Sequence, residues 1–92
     1  YHFTAFIGIL LTKSNRTQEV LKELASIPNV VEASVISGKY NIFCKVRAKH
    51  TEDAKRIIYQ IDDIQDVMRT ESMISMEEYL SDRNRLINAI SI

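Results

Sequence analysis

Residues 30–46 read VVEASVISGKYNIFCKV, and this stretch decides the fold. Residues 30–36 and 40–46 are both rich in β-branched and aromatic side chains, which favour extended strands. The link between them, residues 37–39, is short enough to force a hairpin, and Gly38 supplies the backbone freedom of a tight turn. The stretch therefore predicts two neighbouring antiparallel strands.

The hairpin lies at the centre of an internal repeat. Apolar residues of the first half recur in the second half at an offset of 37 positions. The matching pairs are Phe6 and Phe43, Ile9 and Val46, Leu21 and Ile58, Leu24 and Ile61, Ile27 and Ile64, Val30 and Val67, and Ile36 and Met73. Each half reads as strand, amphipathic helix, strand. The sequence thus predicts an α+β fold of the ferredoxin-like βαββαβ type, with a four-stranded antiparallel sheet and two helices on one face.

The ends of the two predicted helices carry capping signals. Asn15, followed by Gln18, resembles a capping box at the start of the first helix, and Pro28 ends that helix. Thr51 is the predicted cap of the second helix. The fourth strand is predicted over residues 67–76. The pattern of residues 80–92 fits either a helix or a strand, and its apolar content favours packing on a neighbouring chain.

The first strand, residues 3–11, is apolar on both faces. One face carries Phe3, Ala5, Ile7, Ile9 and Leu11, and the other carries Phe6, Gly8 and Leu10. Helices cover only one side of such a sheet, so a second chain is expected to cover the other. The predicted interface residues are Phe6, Gly8, Ile9 and Leu10.

Composition narrows the classes of function. The 92 residues suit one small domain, and the 12 basic and 12 acidic side chains leave no positive field for nucleic acid. The single cysteine, Cys44, fits a reducing compartment. Without a long apolar run or a signal-peptide pattern, we expect a soluble, cytoplasmic domain with no membrane partner. A chain that opens on Tyr1 suggests a piece of a longer protein.

Catalytic and metal-binding signatures are absent from the sequence. His2 and His50 have no ligand-type residues at metal-binding spacing beside them. Asp62, Asp63 and Asp66 lack the glycine and the closing glutamate of a calcium loop and suit the solvated end of a helix. We therefore predict no catalytic residue, no metal and no cofactor, although ferredoxin-like scaffolds also host enzymes.

Polar residues gather at the hairpin and on the fourth strand. The candidate ligand-binding residues are Ser37, Gly38, Lys39, Tyr40, Asn41, Thr70, Glu71 and Ser72. Backbone groups exposed by Gly38 and the donors of Lys39, Asn41, Thr70 and Ser72 suit a carboxylate. An ordinary turn with a solvated edge strand explains the same residues, and the pattern alone leaves both readings open.

Four segments resemble the C-terminal effector-binding domain of leucine-responsive/AsnC-type (Lrp/AsnC) transcriptional regulators, also called the RAM domain. They are FIGI at 6–9, IPNV at 27–30, SGKYN at 37–41 and VMRTES at 67–72. The resemblance implies homodimers whose sheets pair as a dimeric α/β barrel. It further implies that these dimers assemble into octamers or similar rings, with an amino acid bound between dimers. It also implies that residues 1–92 form a single sensing and oligomerisation domain, separated from the DNA-binding helix-turn-helix domain of a full-length regulator. The family commonly has Asp where this chain has Asn41.

Two other functions share this fold. One is a small dimeric α/β-barrel enzyme of the monooxygenase or isomerase kind, and the other is an ACT-like regulatory domain of a metabolic enzyme. A cleft inside the barrel with a His, Arg or Asp pointing into it favours the enzyme. A pocket between dimers, lined by the hairpin and the fourth strand, favours the regulator.

Overall fold

The computed structural model describes residues 3–80 and Arg85. The elements in this part of the chain are β1 (Phe3–Leu11), α1 (Thr17–Ala25), β2 (Val30–Val35), β3 (Ile42–Ala48), α2 (Thr51–Asp62) and β4 (Val67–Ile74), with a short 3-10 helix at Ser14–Arg16. The strands form an antiparallel sheet in the order β2-β3-β1-β4. This arrangement confirms the predicted ferredoxin-like βαββαβ fold. Most of residues 80–92 lie outside the described residues.

The hairpin joins β2 and β3 as predicted, but its loop is longer than the three-residue link. β2 ends at Val35 and β3 begins only at Ile42. The Ile36 N–H donates to the Asn41 carbonyl oxygen at 3.1 Å and closes the loop. Gly38 has a φ of 120°, so the expected positive φ is confirmed.

The core lies between the helices and one face of the sheet. Alternate residues of β1 and β3, the two central strands, point into it because side chains of a strand alternate between faces. The buried hydrophobic residues are Ala5, Ile7, Ile9, Leu11, Val20, Leu24, Ile27, Ile42, Cys44, Val46, Ala48, Ala54, Ile57 and Ile61. We call the opposite side of the sheet, away from the helices, the open face.

The helix starts differ from the predicted ones. The residue before α1 is Arg16, and no side chain caps either the 3-10 helix or α1, so Asn15 does not act as a capping box. Thr51 is the first residue of α2, and the cap is His50, whose Nδ1 accepts a hydrogen bond from the Asp53 N–H at 3.2 Å. Imidazole nitrogen can replace a hydroxyl here because both are acceptors within reach of the first helical turn.

Asp53 is tied to the same helix start. Its carboxylate accepts the Lys49 N–H at 3.0 Å and lies 2.8 Å from the Arg56 Nη2. The pKa of Asp53 is lowered mainly by the hydrogen bond from the Lys49 N–H and secondly by the bond from Arg56, because both bonds stabilise the charged carboxylate. The negative charge is placed at the positive end of the helix dipole.

Asp66 anchors the turn before β4. It adopts a φ of 74°, which few residues other than Gly, Asn and Asp tolerate. Its Oδ2 lies 2.8 Å from the Arg16 Nε, and its carbonyl oxygen accepts the Thr12 N–H at 2.9 Å. Asp66 was expected to be a solvated residue at the end of the second helix. It also fixes the turn before β4 against the end of β1.

Burial makes Cys44 an inert thiol, and this can be tested. Loss of solvation raises the pKa of Cys44 to about 11, so the thiolate that reacts with disulfides is scarce at neutral pH. We expect no reaction of the folded chain with an aromatic disulfide reagent at mildly alkaline pH, and full reaction after denaturation. Because a thiol in the unfolded chain has a pKa of about 8.5, the contribution of Cys44 to stability falls as pH rises above that value. Rapid labelling of the folded chain would contradict the buried position.

Candidate functional site

The strand register divides the predicted ligand residues of β4 between the two faces of the sheet. Gly8 is opposite Glu71, while Ile7 and Ile9 are opposite Ser72 and Thr70. Residues that are paired across strands share a face. Glu71 therefore lies on the open face with Gly8, and Thr70 and Ser72 lie on the helix face.

Thr70 connects β4 to the helix layer. Its Oγ1 donates a hydrogen bond to the Asp62 Oδ1 at 3.3 Å, at the end of α2. β1 lies between β3 and β4, so the sheet separates Thr70 from the hairpin. Within one chain, Thr70 is bonded to Asp62 rather than to the residues of the hairpin, and Ser72 lies on the same face of β4.

Tyr40 packs across β1, and Gly8 makes room for it. A Cβ atom added to Gly8 would lie 2.8–2.9 Å from three atoms of the Tyr40 ring, which is too close for any side chain. A strand-interior glycine indicates a close approach, and here the approaching group is an aromatic ring. The Lys39 Nζ lies 5.7 Å from the centre of the same ring, within the range of a cation–π contact.

The Tyr40 hydroxyl is buried without a hydrogen-bond partner in the part of the chain that the structure describes. The pKa of Tyr40 is raised, mainly by the neighbouring Glu71 carboxylate and also by burial. The positive charge of Arg69 lowers this pKa in part. Glu71 is thus near enough to act on the hydroxyl without accepting a hydrogen bond from it. The fold thus brings Tyr40 of the hairpin together with Glu71 of β4, and Arg69 joins them.

Asn41 is built into the sheet. Its N–H donates to the Ile9 carbonyl oxygen at 2.9 Å, and its side-chain Oδ1 accepts the Leu11 N–H at 2.8 Å. These bonds extend the pairing with β1 beyond the start of β3. The side-chain oxygen of Asn41 is therefore already engaged by the backbone of the same chain, whereas the group predicted to contact a ligand is the amide nitrogen of that side chain.

The hairpin tip, residues 37–39, is exposed. Nothing lies within 4 Å of a Cβ placed on Gly38, so the positive φ, and not crowding, is what selects glycine there. Ser37 and Lys39 flank this position and are exposed to solvent. The tip is open to a ligand or to another chain.

The open face has an aromatic centre. The rings of Phe6 and Phe43 stack with their centres 6.0 Å apart, and Leu10 is only partly covered. Ile9 differs from the other predicted interface residues: it is completely buried in the core of its own chain, because it points toward the helices. A side chain buried there is not available for the predicted contact with a second chain. Phe43 lies on the open face and was not among the predicted interface residues, although its match with Phe6 in the repeat was a signal for it.

Charged side chains surround the aromatic centre. The Lys45 Nζ lies 3.9 Å from the Glu32 Oε2, and the Arg47 Nη1 lies 4.0 Å from the Glu78 Oε2. Arg69 and Glu71 are on the same face of β4, opposite Leu10 and Gly8 of β1. The open face therefore combines apolar area with charges of both signs.

Other features of the described residues do not join this group. A hollow between the C-terminal ends of α1 and α2 is lined by polar and apolar residues that include Glu23, Gln60 and Asp63. None of the predicted ligand residues lines it. The described part of the chain has no cluster of three or more His, Cys, Asp or Glu residues that could hold a metal ion. Its helices are also too short or too polar to span a membrane.

Known proteins resemble this chain in sequence and in fold. The model of the Lrp/AsnC ligand binding domain matches residues 4–85. Regulatory protein AsnC of Haemophilus influenzae is 35% identical over 78 residues, which cover 84% of this chain and 52% of that protein. The solved structure of Escherichia coli AsnC has a TM-score of 0.85 at 29% identity and covers 89% of this chain and 56% of that one.

A more distant solved structure shares the fold. It is the feast or famine regulatory protein of M. tuberculosis complexed with L-methionine, with a TM-score of 0.77 at 22% identity. The match covers 89% of this chain and 55% of that one. The chain thus spans about half the length of the curated relatives that it matches.

Proposed function

Because the chain belongs to the Lrp/AsnC ligand binding domain family, we propose that it is the amino-acid-sensing and oligomerisation domain of a transcriptional regulator. The family match over residues 4–85 is the observation that carries the proposal. The AsnC relatives are named as regulatory proteins, and the feast or famine protein was solved with L-methionine. In this proposal residues 1–92 act as one domain in the cytoplasm, and DNA is bound by a helix-turn-helix domain outside this sequence.

Assembly is the first part of the proposed function. The Phe6–Phe43 stack and Leu10 leave apolar area on the open face, and a second copy of the chain is the partner that covers it. Such a contact pairs the same surface on both copies. Homodimers formed in this way assemble further into a ring of dimers, such as an octamer.

The effector site is the second part. The hairpin tip and the Thr70 and Ser72 side chains both offer polar groups, but Thr70 and Ser72 lie on the helix face of β4, apart from the tip of the same chain. A site that uses both must therefore take the hairpin from one copy and the β4 segment from another. Such a site lies at a contact between dimers, so binding of an amino acid and higher assembly favour each other by linkage.

Gly38 provides the test of this site. The Gly38→Val variant places a β-branched residue at a φ of 120°, a conformation that costs about 1–3 kcal/mol and distorts the turn. We expect weaker binding of the amino acid that the wild-type chain prefers, together with a smaller fraction of the higher assembly. Calorimetry with each of the twenty amino acids, followed by native mass spectrometry, measures both.

A matched control and a second variant sharpen the test. Gln18→Val adds the same side chain on the exposed side of α1 and should leave binding unchanged. Asn41→Asp can keep the bond to the Leu11 N–H and adds a negative charge, which should strengthen binding if an effector ammonium group lies near. Equal binding by Gly38→Val and wild type would place the site elsewhere. No heat from any amino acid would leave assembly as the principal role.

The competing enzyme reading has less support. The relatives that match are named as transcriptional regulators. The hollow lined by Asp63 lies between the ends of the two helices and not inside a barrel of paired sheets, so it does not meet the criterion for the enzyme. The polar groups near the hairpin are instead placed where a neighbouring chain can reach them.

A further inference from the structure

We propose that Arg69 of one copy pairs with Glu71 of a second copy across the open face, and that the same pair forms a second time by symmetry. The inference rests on the proposed sheet-to-sheet dimer and adds the polar contact that sets its register. Three observations on the described residues carry it: the distribution of ion pairs, the spacing of the two charges and the unpartnered Tyr40 hydroxyl.

Two charged side chains on the open face of β4 take no part in the ion pairs of the described residues. Lys45 is paired with Glu32 and Arg47 with Glu78 inside the chain. Within the described residues, Arg69 and Glu71 have no ion-pair partner, and both are exposed to solvent. One is positive and the other negative. On this face β4 thus presents one unpaired charge of each sign, a pattern that is complementary to a second copy of itself.

The spacing of these charges suits a two-fold axis. Arg69 and Glu71 are two residues apart on β4 and share the open face, so their backbones are about 7 Å apart along the strand. In a contact with two-fold symmetry, if residue i of the first copy touches residue j of the second, then residue j of the first copy also touches residue i of the second. An axis that passes beside Thr70 therefore brings each Arg69 to the other copy's Glu71. Repulsive pairings of like charges arise in a shifted register, which disfavours that register.

The Tyr40 hydroxyl lies at the same place. It is buried without a partner in the described residues, and Glu71 is the main group acting on it. Covering this region with apolar surface alone would leave the hydroxyl and the carboxylate poorly solvated. An arginine from the second copy satisfies Glu71 and holds its carboxylate beside the Tyr40 hydroxyl, for which that carboxylate is the acceptor at hand.

Charge reversal tests the pairing between copies. Arg69→Glu and Glu71→Arg should each weaken homodimerisation by about tenfold, because each places like charges opposite one another twice. A mixture of the two variants should form heterodimers in clear excess over either homodimer, since both cross-pairs are then attractive. Native mass spectrometry of the mixture, with one variant isotopically labelled, measures the ratio. Thermal unfolding of each variant confirms that the fold persists.

The intrachain pair provides the matched control. Glu32→Lys and Lys45→Glu reverse charges of the same type on the same face, but their partners are in the same chain. A mixture of these two variants should show no preference for heterodimers. A wild-type dimer whose Arg69→Glu and Glu71→Arg variants mix statistically would overturn the ion pair while leaving the sheet-to-sheet dimer in place. A wild-type chain that sediments as a monomer would overturn both.

Discussion

The Phe6→Asp variant is expected to sediment as a monomer at concentrations where the wild-type chain is a dimer. Phe6 stacks on Phe43 at the centre of the open face and is not part of the core beneath the helices. Burying one phenylalanine is worth about 1.5–3 kcal/mol, and a symmetric contact loses two. Since about 1.4 kcal/mol changes an equilibrium constant tenfold, the dimer Kd should rise at least about 100-fold. Sedimentation velocity over a concentration series measures the change.

The control for this variant is Tyr59→Asp. Tyr59 is an aromatic residue that is 63% exposed on α2, on the side of the molecule away from the open face. It receives the same charge and should dimerise like the wild type. Thermal unfolding should show that Phe6→Asp retains a cooperative transition. If Phe6→Asp and wild type have the same dimer Kd, the open face is not the contact between copies.

The Gly8→Val variant should be destabilised, because the new side chain collides with the Tyr40 ring. Even the Cβ atom would lie 2.8–2.9 Å from three carbons of the ring, so the ring as a whole would have to shift. Overpacking of this kind costs about 1–3 kcal/mol. In a domain of this size each kcal/mol corresponds to about 4–8 °C in Tm. Chemical denaturation at a fixed protein concentration measures the loss.

A second background reverses the sign of the effect. Valine is a better strand former than glycine, so without the ring the substitution should be neutral or stabilising. In a Tyr40→Ala chain, Gly8→Val should therefore no longer lower the free energy of unfolding. The double-mutant cycle isolates the contact between residues 8 and 40. An equal loss in both backgrounds would mean that the strand itself, and not the ring, requires glycine.

Local patterns in the sequence determined most of the fold. Alternation along residues 3–11 and 40–46 identified β1 and most of β3, and helical spacing identified the stripe of Val20 and Leu24 that is buried. The repeat gave the order of the elements, and Gly38 marked the turn with positive φ. These features depend on neighbours within a few residues, so they can be read without the tertiary structure.

The composition of the candidate site was decided only by the tertiary structure. A strand pattern groups residues by face but does not say which face meets the helices, and a shift of one residue exchanges the faces. This is why Ile9 belongs to the core while Phe6 remains on the open face. The pairing of β4 with β1 then places Glu71 with Gly8, and it sends Thr70 to the helix side, where it meets Asp62.

Contacts between distant residues also lay beyond the sequence. Tyr40 reaches Gly8 across 32 positions of the chain, and the Asn41 side chain reaches the Leu11 backbone across 30. His50 rather than Thr51 caps α2, because the approach of the chain to the helix, and not residue preference, selects the acceptor. Composition and periodicity constrain which side chains are buried. Which polar groups meet depends on strand register and loop path, and these are properties of the folded chain as a whole.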